Sequence, residues 1–202
     1  MVAIPWVDLP WWRIFRRCVS MSSVFTLWLL MRYQHRQSLV ALGLGPWGYG
    51  WRMALFGLAI SLGTAGLLQG LYLASGLSSM LIHPDHARIY RTVIGFIPTA
   101  CLLSLVEEVV FRGYVLRQLL ACSRQMAIWG SSVAYALVHI RPSSAWPYTG
   151  YEFVGLTVLG WMLAQSALKT NQLYLGIGLH AGFAYWARTS KLFVDMTFPM
   201  AP

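Results

Sequence analysis

From Met53 to Ile82 the chain runs thirty residues without one charged side chain. As an α-helix rising about 1.5 Å per residue, that stretch is longer than the roughly 30 Å hydrocarbon core of a bilayer. Shorter apolar runs recur at Cys18–Met31, from Thr92 up to Glu107, and over Gln125–Ile140, Phe153–Leu168 and Thr170–Ala187. Backbone amides cannot stay unpaired in hydrocarbon, and no run shows the alternation of a membrane β-barrel. The sequence therefore predicts an all-α, polytopic transmembrane helical bundle of about six spans, with five to seven allowed, in a single domain over residues 1–202.

Composition carries the same message. Apolar residues make up 57% of the chain and charged ones 10%, against about 25% charged in a soluble domain. So few charges cannot cover a water-facing surface, so lipid is the expected solvent and a multi-pass integral membrane location follows. The net charge of +9 does not mark a nucleic-acid binder, because the basic residues sit at the ends of apolar runs, as Arg32, Arg52, Arg124 and Lys169 do. That is the pattern of side chains anchored among headgroups. Divided between the two sides of a six-span bundle, the fifteen basic residues come out eight against seven, which sets no orientation.

Residues 1–17 read as an interfacial lead-in rather than a cleavable signal, since Asp8 interrupts them and Trp11 and Trp12 stand beside arginines. Cys18, Cys101 and Cys122 form no CxxC and read as inert apolar thiols. Small residues at helix-packing spacing, Ala59 with Gly63 and Gly178 with Gly182, are expected to let backbones approach closely.

Against this background Glu107-Glu108-Val109-Val110-Phe111-Arg112 is the anomaly, because charge inside a span is costly and marks function by default. Glu108 and Arg112 lie four apart on one helix face and can pair. Glu107 points about 100° away from Glu108. A carboxylate beside a like charge and partly out of water suits a general base. The plain alternative is a surface ion pair where the third helix ends, although two acids there would oppose the helix dipole. His139, with Tyr135 one turn before it, and His180, among Gly176, Gly178 and Gly182, stand on later runs. A lone histidine on an apolar helix is more often a hydrogen-bonded core residue. Two of them, on separate helices of a chain with a buried glutamate pair, point to a site. His83-Pro84-Asp85-His86 has metal-like ingredients but reads as a loop turn.

In order, Glu107-Glu108-x-x-x-Arg112, Tyr135-x-x-x-His139 and His180 resemble the EExxxR, FxxxH and HxxxN motifs of the CAAX-protease and bacteriocin-processing family, which includes the CAAX prenyl protease type 2 enzymes. The resemblance covers roughly residues 90–190, which makes that stretch the expected catalytic core. It implies a glutamic-type intramembrane endopeptidase acting on a hydrophobic or lipid-modified, membrane-tethered peptide. Glu107 and His139 would activate water, Glu108 and Arg112 would fix the geometry as an ion pair, and His180 would donate to the developing oxyanion. Two positions depart from the pattern: Tyr135 stands for Phe, and Ala184 stands where Asn is expected. The first adds a hydroxyl, making Tyr135 a candidate auxiliary donor, and the second removes a polar group.

No cofactor is expected. The alternative is zinc on Glu107, His139 and His180, although the chain lacks HExxH. Two further readings compete with catalysis. One is a silent family member acting as a membrane binding, immunity or scaffold protein, which Ala184 favours. The other is a transporter using the glutamate pair, against which no inverted repeat is visible.

Overall fold

A computed structural model describes residues 18, 22–23, 25–34, 36, 38–45, 47–140 and 148–196. The interfacial lead-in expected over residues 1–17 lies outside the described residues, as does the loop 141–147. Of the first apolar run, a helical stretch at 25–29 and a π-turn at Leu30–Gln34 are described, followed by a 3₁₀ turn at Leu39–Leu42.

The architecture is an all-α bundle. Helix α1, Trp47–Ala74, has 28 residues and no charge after Arg52. A nearly continuous helical column follows: α2, His86–Val93; α3, Phe96–Glu108; a π-helical segment, Val109–Val115; and α4, Leu116–Leu119. Pro98 is tolerated because it falls in the first turn of α3, where backbone N–H groups have no intrahelical acceptor. Then come α5, Arg124–His139; α6, Tyr148–Thr170; and α7, Tyr174–Thr189. Two of these stretches, Gly48–Ala74 and His86–Leu119, are long and apolar enough to cross a membrane.

The exterior is apolar, unlike that of a soluble protein: Leu67, Leu71, Tyr90, Leu102 and Leu137 are exposed. The interior combines buried apolar side chains such as Leu116, Leu163 and Leu173 with Ser61, Ser104, Glu108, Arg112, Ser131 and Ser132. An apolar exterior around buried polar groups is the arrangement expected when lipid takes the place of water.

Helix packing follows the small residues, at one of the two expected pairs. Gly178 lies against the Ala54 carbonyl and Gly182 against the Ser61 side chain, so α1 and α7 approach backbone to backbone. At the other pair, Ala59 is exposed and a methyl group at Gly63 would meet nothing. The pair Ala59 and Gly63 is therefore not an internal contact, because α1 turns its opposite face, through Gly57, to α7. Gly160 of α6 packs on the Ser132 backbone of α5, where an added methyl would come within 2.9 Å of Ser132 Cα.

A two-stranded antiparallel ribbon is the one piece of strand among the described residues. It pairs β1, Ser78–Met80, with β2, Val194–Met196, Ser79 facing Asp195. Hydrogen bonds from Leu81 N–H to the Phe193 carbonyl and from His83 N–H to the Leu192 carbonyl continue it. The long run Met53–Ile82 thus divides into helix and ribbon, and the ribbon ties the exit of α1 to the exit of α7. Asp85 then caps α2 by accepting the Arg88 backbone N–H at 2.9 Å. That bond holds its exposed carboxyl below the usual carboxylate range. His83-Pro84-Asp85-His86 is accordingly the turn its sequence suggests.

Candidate active site

Glu107 and Glu108 do not end a helix. The column continues through the π-helical segment to Leu119, so the two carboxylates lie within it. The chain then reverses between Leu119 and Arg124. Counting back from Leu119, Glu107 lies about 18 Å along the column, and counting forward from Arg124, His139 lies about 22 Å along α5. Antiparallel helices thus bring the two side chains level. α7 lies against α3 and adds His180 from a third direction.

Glu107 Oε2 lies 3.1 Å from His139 Nε2 and 3.5 Å from His180 Nε2. Glu108 Oε1 lies 3.0 Å from His180 Nδ1 and 3.1 Å from Arg112 Nη1. Arg112 Nη2 donates to the Gly160 carbonyl at 3.2 Å. Glu108 and Arg112 are 0% and 1% exposed, so they form a buried ion pair and not a surface one. Their side chains contrast with those of Glu107 and His139, which keep 12% and 16% of their surface open. Glu108 is sealed, whereas part of the Glu107 side chain stays exposed even though its Oε2 is buried.

The π-helical segment bears directly on this arrangement. π-turns are rare and frequently lie at functional sites. Here the segment begins immediately after Glu108 and carries Arg112 inward over the Tyr135 ring, with its guanidinium carbon 4.5 Å from the ring centre. Gly113, next in the segment, packs on Leu42, where a methyl would come within 3.0 Å of Leu42 Cβ.

Hydrogen bonding fixes both imidazole tautomers. His139 Nδ1 lies 2.8 Å from the Tyr135 backbone carbonyl, which can only accept, so Nδ1 carries a hydrogen. His139 Nε2 therefore faces Glu107 with a lone pair unless the ring is charged. Two acceptors at 3.1 Å need a proton between them or a water donating to both. His180 Nδ1 likewise donates to Glu108, leaving Nε2 against the Tyr135 hydroxyl at 3.2 Å.

Each expected site residue is thus in the cluster: Glu107, Glu108, Arg112, His139, His180 and Tyr135. Ala184 is half-buried one turn beyond His180. Sequence reasoning missed the Gly160 and Tyr135 backbone carbonyls, because every residue has a carbonyl and no side-chain pattern marks a functional one. It named Gly176 only as a neighbour of His180. A methyl there would come within 3.0 Å of Glu108 Oε2 and 3.2 Å of Ser166 Oγ. No group of three His, Cys, Asp or Glu side chains among the described residues is arranged as a metal-holding set. Glu107 instead contacts both imidazoles directly.

A family model described as type II CAAX prenyl endopeptidase Rce1-like matches residues 89–186, just under half of the chain. Neither the curated proteins nor the solved structures gave a match. The matched segment runs from α2 to α7 and contains every residue of the cluster.

Proposed function

Because the chain belongs to the Rce1-like family of CAAX-type endopeptidases through residues 89–186, we propose that it is a multi-pass intramembrane peptidase. It hydrolyses a peptide bond in a hydrophobic or lipid-modified, membrane-tethered segment. The observation that carries this reading is the 3.1 Å approach of Glu107 Oε2, itself buried, to His139 Nε2, in the pair of the cluster whose side chains keep the most open surface.

A water beside these two acceptors gives one hydrogen to each and keeps its lone pairs for the substrate carbonyl carbon. As the O–C bond forms, one water proton passes to the Glu107–His139 pair and the carbonyl π electrons move to oxygen. When the C–N bond breaks, its electrons stay on nitrogen, which takes that proton and leaves as an amine. The carboxylic product keeps the water oxygen, and no covalent bond to the enzyme forms. Proton transfer by a positioned side chain supplies about 10²–10⁴ in rate. Glu108 and Arg112 hold His180 and the α6 backbone in place.

Zinc on Glu107, His139 and His180 is the competing mechanism, and it would exchange the direct Glu107–imidazole contacts for metal bonds. A catalytically silent binding protein is the competing function, because Ala184 offers a methyl group one turn beyond His180. The purified full-length chain in lipid, given a quenched fluorescent peptide ending in a prenylated cysteine segment, decides the function. Cleavage that Glu107→Gln abolishes supports hydrolysis. A wild-type chain that cleaves neither this peptide nor any native membrane protein is a binding protein.

A further inference from the structure

We propose that the oxyanion donor in this chain is the Tyr135 hydroxyl and that His180 positions it, an inference that rests on the proteolytic reading above. Glu108 Oε1 accepts from Arg112 Nη1 at 3.1 Å, so this oxygen is already an acceptor. His180 Nδ1, 3.0 Å from the same oxygen, must therefore carry the ring hydrogen. In the neutral ring the lone pair is then on Nε2, 3.2 Å from the Tyr135 hydroxyl, which donates to it. An imidazole held in this tautomer has no hydrogen on Nε2 to offer a substrate oxygen.

Two buried donors on the same helical column, Ser104 Oγ and Arg112 Nε, have no partner among the described residues, but the other donors around His180 are committed elsewhere. Arg112 spends Nη1 on Glu108 and Nη2 on the Gly160 carbonyl. Ser131 and Ser132 both turn their hydroxyls onto the Ile128 carbonyl, at 3.2 Å and 2.6 Å. Position 184 carries only a methyl group.

Tyr135 has the mechanical properties of a preorganised donor. It is 2% exposed, with the Arg112 guanidinium over its face and the Phe111 ring perpendicular to it at 5.5 Å. The ring is clamped, but its O–H turns about a single bond. It can swing from His180 Nε2 to a nearby substrate oxygen without moving a heavy atom. In the resting state His180 keeps that hydroxyl aimed, Glu108 fixes His180, and Arg112 fixes Glu108. The two departures from the family pattern are then complementary, because the hydroxyl gained at 135 replaces the amide lost at 184.

The test compares wild type, Tyr135→Phe, Ala184→Asn and the double variant of the full-length chain, using the quenched prenylated peptide. Tyr135→Phe is expected to lower kcat by about 10²–10³, the effect of one oxyanion donor, with KM and thermal unfolding nearly unchanged. Adding Ala184→Asn to it is expected to restore at least about tenfold of that loss, which a merely structural tyrosine would not allow. Tyr135→Phe at the wild-type rate overturns the assignment while leaving the proteolytic reading intact. So does a loss that tracks a lowered melting temperature and is not rescued by asparagine. A wild-type chain without cleavage overturns the proteolytic reading and this inference with it.

Discussion

Glu107 Oε2 sits 3.1 Å from His139 Nε2, although the two residues belong to helices that run in opposite directions. With His139 Nδ1 turned to its own helix, this contact presents two proton acceptors to one small space. Glu107→Gln removes one of them at constant shape. Cleavage is expected to fall by about 10²–10⁴, with thermal unfolding in detergent shifted by no more than a few degrees. A variant that keeps its activity would remove Glu107 from the mechanism.

Glu108→Gln is expected to act on stability first. It leaves the buried Arg112 guanidinium, whose side chain is 0% exposed, without its counter-charge. Stranding one partner of a buried pair costs about 3–5 kcal/mol. Unfolding followed in detergent should show Glu108→Gln well below Glu107→Gln. Equal stability of the two variants would contradict this division of roles.

The glycines give a third check. At Gly176 a methyl would press on Glu108 Oε2 at 3.0 Å and on Ser166 Oγ at 3.2 Å. Displacements of this kind cost up to about 10²-fold in rate, so Gly176→Ala should cleave at least about tenfold more slowly than wild type. Gly63→Ala, which meets nothing within 4 Å, should match wild type in rate and melting temperature. If the two variants behaved alike, the close approach of α7 to the sealed carboxylate would have no functional weight.

Much of this arrangement was legible in the sequence, for physical reasons that can be named. Charge is so costly in an apolar run that Glu107, Glu108 and Arg112 stand out without a structure, and the four-residue spacing pairs Glu108 with Arg112 on one face. The Gly178 and Gly182 contact was legible because small side chains recur at the helix-packing interval. The same signal failed at Ala59 and Gly63, since spacing says which residues share a face but not which way that face points. The level of Glu107 against His139 was legible only as a condition: for the two to share a site the chain has to run on past Glu107, and the π-helical segment carries it to Leu119. The ribbon between residues 78–80 and 194–196 joins segments more than a hundred residues apart, and nothing local announces it.

Metal dependence separates the glutamate mechanism from its zinc alternative. The purified chain is expected to hold well below stoichiometric zinc by elemental analysis and to keep cleaving the prenylated peptide after chelation. Stoichiometric zinc whose removal and return switched cleavage off and on would replace the glutamate mechanism with a metal one.

Hydrolysis by Glu107 is tested most directly on native substrates. Membrane fractions of cells carrying the wild-type chain are compared with those of cells carrying Glu107→Ala, reading the ends of membrane-tethered proteins by mass spectrometry. Wild type is expected to yield at least one shortened protein whose new end lies in a hydrophobic or lipid-modified segment, with its full-length precursor accumulating in the variant. Identical precursors and products in both, at equal expression of the two chains, would contradict the account.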